Sequence, residues 1–186
     1  SASLDQLGKV LELKPTPVSP DAKELGEINK IEYRKVSLNY AGGAHALKGV
    51  SISINSGETI AFVGPSGSGK SSMIKLLAGL YDPSEGEIFV NDYNLKEVNI
   101  ERLRRRIGLV AQETQLFAGT LRENLLFVNP NVTDAECLEV LKLSSVTDLL
   151  ERGGQGLDTR IGEGGIKISG GERQRIAIAR ALLRNP

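Results

Sequence analysis

The feature that most constrains this chain is the stretch Gly64-Pro65-Ser66-Gly67-Ser68-Gly69-Lys70-Ser71, with Ser72 directly after it. It satisfies G-x-x-x-x-G-K-[ST] at every fixed position, follows the short apolar run 59–63 and opens a helical pattern over residues 70–80. Glycine at these places lets the backbone wrap with its N–H groups turned inward, and the helix start adds the positive end of a dipole. Lys70 then supplies a point charge for β- and γ-phosphates, and Ser71 a hydroxyl for Mg²⁺. This strand–loop–helix unit demands an α/β fold. It implies a nucleotide site without naming a task, because many unrelated proteins use the same loop.

The rest of the chain can be laid around that unit. Residues 31–39 and 46–54 read as strands, the second with Val50, Ile52 and Ile54 on one face and Ser51 and Ser53 on the other. Residues 59–63 suit a strand buried on both faces, and 87–90 and 107–111 are further strand candidates. In the helix over 70–80, Ile74, Leu77 and Ala78 are expected to point inward. After residue 115 the pattern turns helical: Thr133 and Glu136 form a capping box, 146–151 a short helix, 153–165 a glycine-rich loop. From Ser169 a longer helix is expected, with Ile176, Ala179, Leu182 and Leu183 on its inner side. At the other end, Leu4, Leu7, Val10 and Leu11 have helical spacing, and Pro15, Pro17 and Pro20 then favour an extended linker. The expected organisation is a helix and linker over 1–30 and one domain over 31–186, with its helical part at about 115–168.

Composition excludes several classes. The 186 residues carry 23 Lys plus Arg and 23 Asp plus Glu, so no basic excess points to nucleic acid. The lone cysteine, Cys137, permits no disulfide within the chain, fits a reducing compartment and reads as a small core residue. No apolar run reaches the roughly 20 residues needed to span a bilayer. The chain as given is expected to be soluble, even if cut from a membrane protein. The basic run Arg102, Arg104, Arg105 and Arg106 reads as a solvated helix end, with contact to an acidic partner as the alternative.

Far downstream lies Ser169-Gly170-Gly171-Glu172. Ser169 suits an N-cap and Glu172 the third helical position, a second capping box, while Gly170 and Gly171 leave bare backbone at a helix start. Alone, this is a plain helix start. In company it is more. Ile168-Ser169-Gly170-Gly171-Glu172-Arg173-Gln174-Arg175-Ile176 resembles the signature of the ABC ATPase family, and the chain is similar to the nucleotide-binding domain of an ABC exporter. Gln112 stands where that family has its Q-loop glutamine, and Tyr40 where it has an adenine-stacking aromatic. Residues 116–124 are similar to the exporter segment after the Q-loop. Residues 158–165 resemble the exporter X-loop, which contacts the coupling helices of a membrane domain. The resemblance runs from about residue 30 to the last residue, and the 1–30 segment resembles the exporter connection between membrane and ATPase domains.

The resemblance implies a P-loop NTPase core of the ABC ATPase type, with an antiparallel β subdomain and a helical subdomain. It implies ATP and Mg²⁺ as cofactors, with Gly64, Pro65, Ser66, Gly67, Ser68, Gly69, Lys70, Ser71 and Ser72 holding the phosphates. Ser71 and Gln112 would hold the metal, Tyr40 the adenine, and Lys70 and Gln112 would serve catalysis. Two such domains would associate head to tail, so that Ser169, Gly170, Gly171 and Glu172 act on the partner's ATP. A fused or associated transmembrane domain and a place at the cytoplasmic face of a cell membrane follow. Chromosome-maintenance ATPases share the two motifs but separate them by a long coiled coil, whereas Gln112 and Ser169 here are close and no heptads intervene.

The sequence departs from the family pattern at Ile168 and Glu172. A carboxylate at 172 should repel phosphate and weaken ATP-driven dimerisation relative to glutamine. No apolar run ending in Asp-Glu occurs, so the metal-binding strand and the general base of the family are expected beyond Pro186 and the sheet is expected to have an unpaired edge. His45, the one histidine, precedes the phosphate loop and reads as an exposed loop residue rather than the family's switch. The stretch given is expected to bind ATP without efficient hydrolysis. A non-hydrolysing regulatory module is the alternative.

Overall fold

A computed structural model describes residues 22–40, 45–112 and 114–186. The helix and proline linker expected over 3–20 lie outside these residues. The chain divides into two compact units, the first ending at Arg104 and the second beginning at Arg105.

The first unit is built on an antiparallel sheet of β1 (Lys30–Asn39), β2 (His45–Asn55), β3 (Glu85–Val90) and β4 (Tyr93–Asn94), in the order β2-β1-β3-β4. Ile31 faces Ile54, Tyr33 faces Ile52 and Val36 faces Val50, so the alternating apolar residues share one side. Between Tyr33 and Val36 the register shifts at Lys35, whose φ is 51°. Gly86 passes close to this bulge: a Cβ there would lie 2.3 Å from the Lys35 carbonyl oxygen. Helix α1 (Lys70–Leu77) covers the sheet, and Tyr33, Val36, Leu38, Leu47, Met73, Leu76 and Ile88 form the core beneath it. The Tyr33 hydroxyl donates to the Met73 carbonyl at 2.9 Å, which ties the helix to the sheet, and burial pushes the Tyr33 phenol up to about 12.

Two expectations change here. Met73 and Leu76 face inward on α1, and Ile74 is 43% exposed. The helix stops at Leu77 rather than residue 80, because Gly79 adopts φ 63° and its N–H bonds back to Leu76. Arg104 closes the exposed end. Its Nε donates to the Ala78 carbonyl at 2.7 Å and its Nη2 to Gly79 at 2.8 Å, from helix α2 (Ile100–Arg105). Arg102 pairs with Glu24. The basic run is thus partly a helix cap rather than a solvated end. His45 opens β2 rather than lying in a loop, exposed as expected, with Nδ1 2.6 Å from Asn39 Oδ1.

The second unit is helical: α3 (Leu121–Leu126), α4 (Asp134–Leu143), α5 (Asp148–Gly153) and α6 (Gly170–Leu183), with a small ladder of β5 (Gly119–Thr120) and β6 (Arg160–Ile161). The capping box at Thr133 and Glu136 forms as the sequence predicts. Cys137 is buried among Leu121, Leu125, Leu141, Leu149 and Ile176, and burial pushes its thiol up. On α6, Ile176, Ala179 and Leu183 face this core, while Leu182 turns outward. The helix rotates Ala177 and Ala181 inward in its place.

Neither 59–63 nor 107–111 forms a strand. Ile60, Phe62 and Leu109 are exposed, and Val63 is 94% exposed, against the expectation of a run buried on both faces. The physical reason is simple: a strand exists only against a neighbour that takes its hydrogen bonds, and neither run has a ladder partner among the described residues. No helix among the described residues is long and apolar enough to cross a membrane.

Candidate functional site

The phosphate loop of the first unit takes the shape its glycines predict. Gly67 and Gly69 have φ of 84° and 87°, the left-handed conformation that side chains disfavour. At Gly69 the backbone also needs room, since a Cβ would lie 2.2 Å from the Ala46 carbonyl oxygen and 2.6 Å from Leu47 Cδ2. Lys70 folds its ammonium into the loop and donates to the Gly64 carbonyl at 2.8 Å, Pro65 at 2.7 Å and Ser68 Oγ at 3.3 Å. Helix α1 has no acidic residue in its first turn, so its positive end is left uncompensated. A glycine-rich loop, a cation drawn onto its carbonyls and a bare helix start together fit a polyphosphate. Ser71 is exposed at that start, where a metal ion on the phosphates would reach its hydroxyl.

Tyr40 sits beside the same helix. Its hydroxyl and Ser72 Oγ are 2.9 Å apart, and its ring meets Tyr81 edge to face at 5.0 Å. The Lys75 ammonium lies 6.0 Å from the Tyr40 ring and 5.9 Å from that of Tyr81. The structure thus places Tyr40 next to Ser72, at the start of the helix that follows the phosphate loop. Ser72 is buried against it rather than facing the bowl. Lys75 and Tyr81 were not singled out by sequence, although an i, i+3 offset from Ser72 places Lys75 on the same face.

The second unit brings together two other predicted residues. Gln112 and Gly170 line one cleft of about 380 Å³ with Thr114, Gln115, Arg173 and Gln174. At its edge the Ser169 turn forms the predicted capping box: Ser169 Oγ accepts from Glu172 N at 3.2 Å, and Ser169 N donates to Glu172 Oε2 at 2.7 Å. Glu172 also accepts from Arg152 Nη1 at 2.8 Å. That contact, with the Ser169 amide, holds its carboxyl down at about 2.

Behind the cleft lies a buried polar node that the sequence did not reveal. The Asn124 side chain is fully buried and donates to the Phe117 carbonyl at 3.1 Å and to Thr120 at 2.9 Å. Arg180 of α6 completes it, donating to Asn124 O at 2.7 Å, Asn124 Oδ1 at 2.5 Å and Gln115 O at 2.9 Å. Burial lowers the Arg180 guanidinium from its ordinary value, and the three acceptors are uncharged. Arg180 also lies 5.4 Å from the Phe117 ring, which packs edge to face on Phe127, a residue 74% exposed.

Comparison with known proteins gives the family. A family model described as ABC transporter matches residues 47–186. The chain is 41% identical over 169 residues, 90% of its length, to the ABC transporter ATP-binding protein YwjA of Bacillus subtilis, whose function is uncharacterised. It is 38% identical over 94% of its length to the mitochondrial iron-sulfur clusters transporter ABCB7 of Oryzias latipes. These alignments span 29% and 23% of the two relatives, so the chain covers less than a third of each. A solved bacterial Atm1-family ABC exporter with ATP bound superposes over the whole chain with a TM-score of 0.87 at 32% identity, and 33% of that exporter is covered.

Proposed function

Since the chain belongs to the ABC transporter ATP-binding family, an ATPase family of α/β fold, we propose that it is the ATP-binding domain of an exporter. In this reading ATP binding and hydrolysis are coupled to solute movement through a fused or associated membrane domain, at the cytoplasmic face of a membrane. The observation that carries it is the phosphate bowl, with the Lys70 ammonium held on the Gly64 and Pro65 carbonyls. The relative named as a transporter and the solved exporter support the transport role.

The residues divide the work. Loop amides and Lys70 bind the phosphates, exchanging the carbonyls that now hold the ammonium for anionic oxygens. Ser71 would hold Mg²⁺, whose charge would offset that of the phosphate oxygens, and Gln112 has the same role by its place in the family pattern. Tyr40 offers a ring face to adenine once it leaves its edge contact with Tyr81. Ser169, Gly170 and Gly171 present a second helix start to the ATP of an opposing copy, with Glu172 closing the cap. Exposed Phe127, and the 158–165 loop, provide the face toward the membrane domain. For this stretch by itself the reading is binding of Mg-ATP without efficient hydrolysis.

The test is titration calorimetry of Mg-ATP into this chain and its Lys70→Ala variant. Binding that is lost in the variant supports the reading. Equal binding by both sinks it.

A further inference from the structure

Glu172 is a charge in an awkward place. Gly170 and Gly171 leave the start of α6 open to an anion, and a carboxylate one residue on would repel that anion. The structure gives Glu172 a counter-charge. Arg152, at the end of α5, donates through Nη1 to Glu172 Oε1 at 2.8 Å and through Nη2 to the Lys167 carbonyl at 3.0 Å. The other carboxylate oxygen is taken by the Ser169 amide at 2.7 Å. Both oxygens are therefore committed, and the Glu172 side chain is 12% exposed. A paired carboxylate presents a dipole rather than a monopole, and its field at a phosphate a few ångströms away is much the weaker.

We infer that Arg152 is a positioning residue of the signature turn. It holds the Glu172 carboxylate back on the helix cap and cancels its charge, so that the Gly170 and Gly171 amides face the polyphosphate of the opposing copy unopposed. The inference rests on the proposed function, in which this turn meets ATP bound by a second copy. It also changes what the bare sequence implies: the repulsion expected from Glu172 is largely compensated within the same unit. Arg152 lies twenty residues upstream of Glu172 and outside the signature, so no local spacing points to it.

The test uses the full-length protein that carries this chain. Its observable is the ATP concentration for half-maximal closure of the two ATP-binding domains, followed by the distance between spin labels. Arg152→Ala is expected to raise that concentration about threefold, the size of a partly exposed ion pair, and by less at high salt. Arg152→Lys, which keeps the charge, is expected to retain most of the wild-type response. Made on Glu172→Gln, which keeps the cap, Arg152→Ala is expected to shift closure no further. An unchanged concentration in Arg152→Ala overturns the inference. So does an equal loss on both backgrounds, which would make Arg152 only a brace for the Lys167 carbonyl. Lys70→Ala separates the two levels: if closure persists without that lysine, the ATP-site reading itself fails.

Discussion

At the scale of single residues, the phosphate loop makes a sharp contrast between neighbouring glycines. Gly67 and Gly69 share a left-handed backbone, but only Gly69 is pressed against other backbone. Gly67→Ala should cost about 1 kcal/mol from the conformation alone. Gly69→Ala should cost more than about 2 kcal/mol and abolish Mg-ATP binding, because the Ala46 carbonyl cannot yield as a side chain would. Urea unfolding and calorimetry on the two variants check both values. Glu172 offers a pH test. Its folded value of about 2 lies below the ordinary carboxylate range, so its contribution is complete above about pH 4.5 and is lost as pH falls toward 2. The melting temperature of the wild-type chain should therefore drop more between pH 6 and pH 3 than that of Glu172→Gln. An equal drop would show that the Arg152 contact is not formed in solution.

At the scale of elements, the helices are held by polar ends as much as by apolar faces. Removing the Tyr33 hydroxyl in Tyr33→Phe takes from the Met73 carbonyl its donor in the sheet and should cost about 1 kcal/mol. Arg180→Leu strips Asn124 of its cationic donor and should cost about 2 to 3 kcal/mol. Arg180→Lys should recover little, since one ammonium cannot reach the oxygens of Asn124 and Gln115 as a planar guanidinium does. Chemical denaturation of each variant measures these differences. The capping boxes at Thr133 and Ser169 were legible in sequence because a cap is a local pattern of two residues three apart. The Arg180 node was not, because its partners lie 56 and 65 residues away and leave no periodic trace. The inward faces of α1 and α6 were half legible. Spacing gives the width of an apolar stripe, but the neighbours decide its centre, which is why Ile74 and Leu182 lie outside it.

At the scale of the whole molecule, the antiparallel sheet and the helical unit were readable, and the runs 59–63 and 107–111 were readable only as apolar segments. Their strand character depends on a partner, which no property of the run itself encodes. In this chain their amides should exchange with solvent within seconds, whereas those of β1 should be protected for far longer; hydrogen exchange followed by mass spectrometry tests this. The consequence reaches the phosphate loop through an asymmetry in how it is anchored. Downstream, α1 is fixed to the sheet by Tyr33 and capped by Arg104; upstream, residues 59–63 join no ladder among the described residues. The loop is thus a door hung on one jamb. Nucleotide entering it must immobilise the upstream half itself, so affinity becomes a gauge of that half's freedom. Whatever stiffens residues 59–63, wherever it binds, should tighten the grip on ATP without touching it.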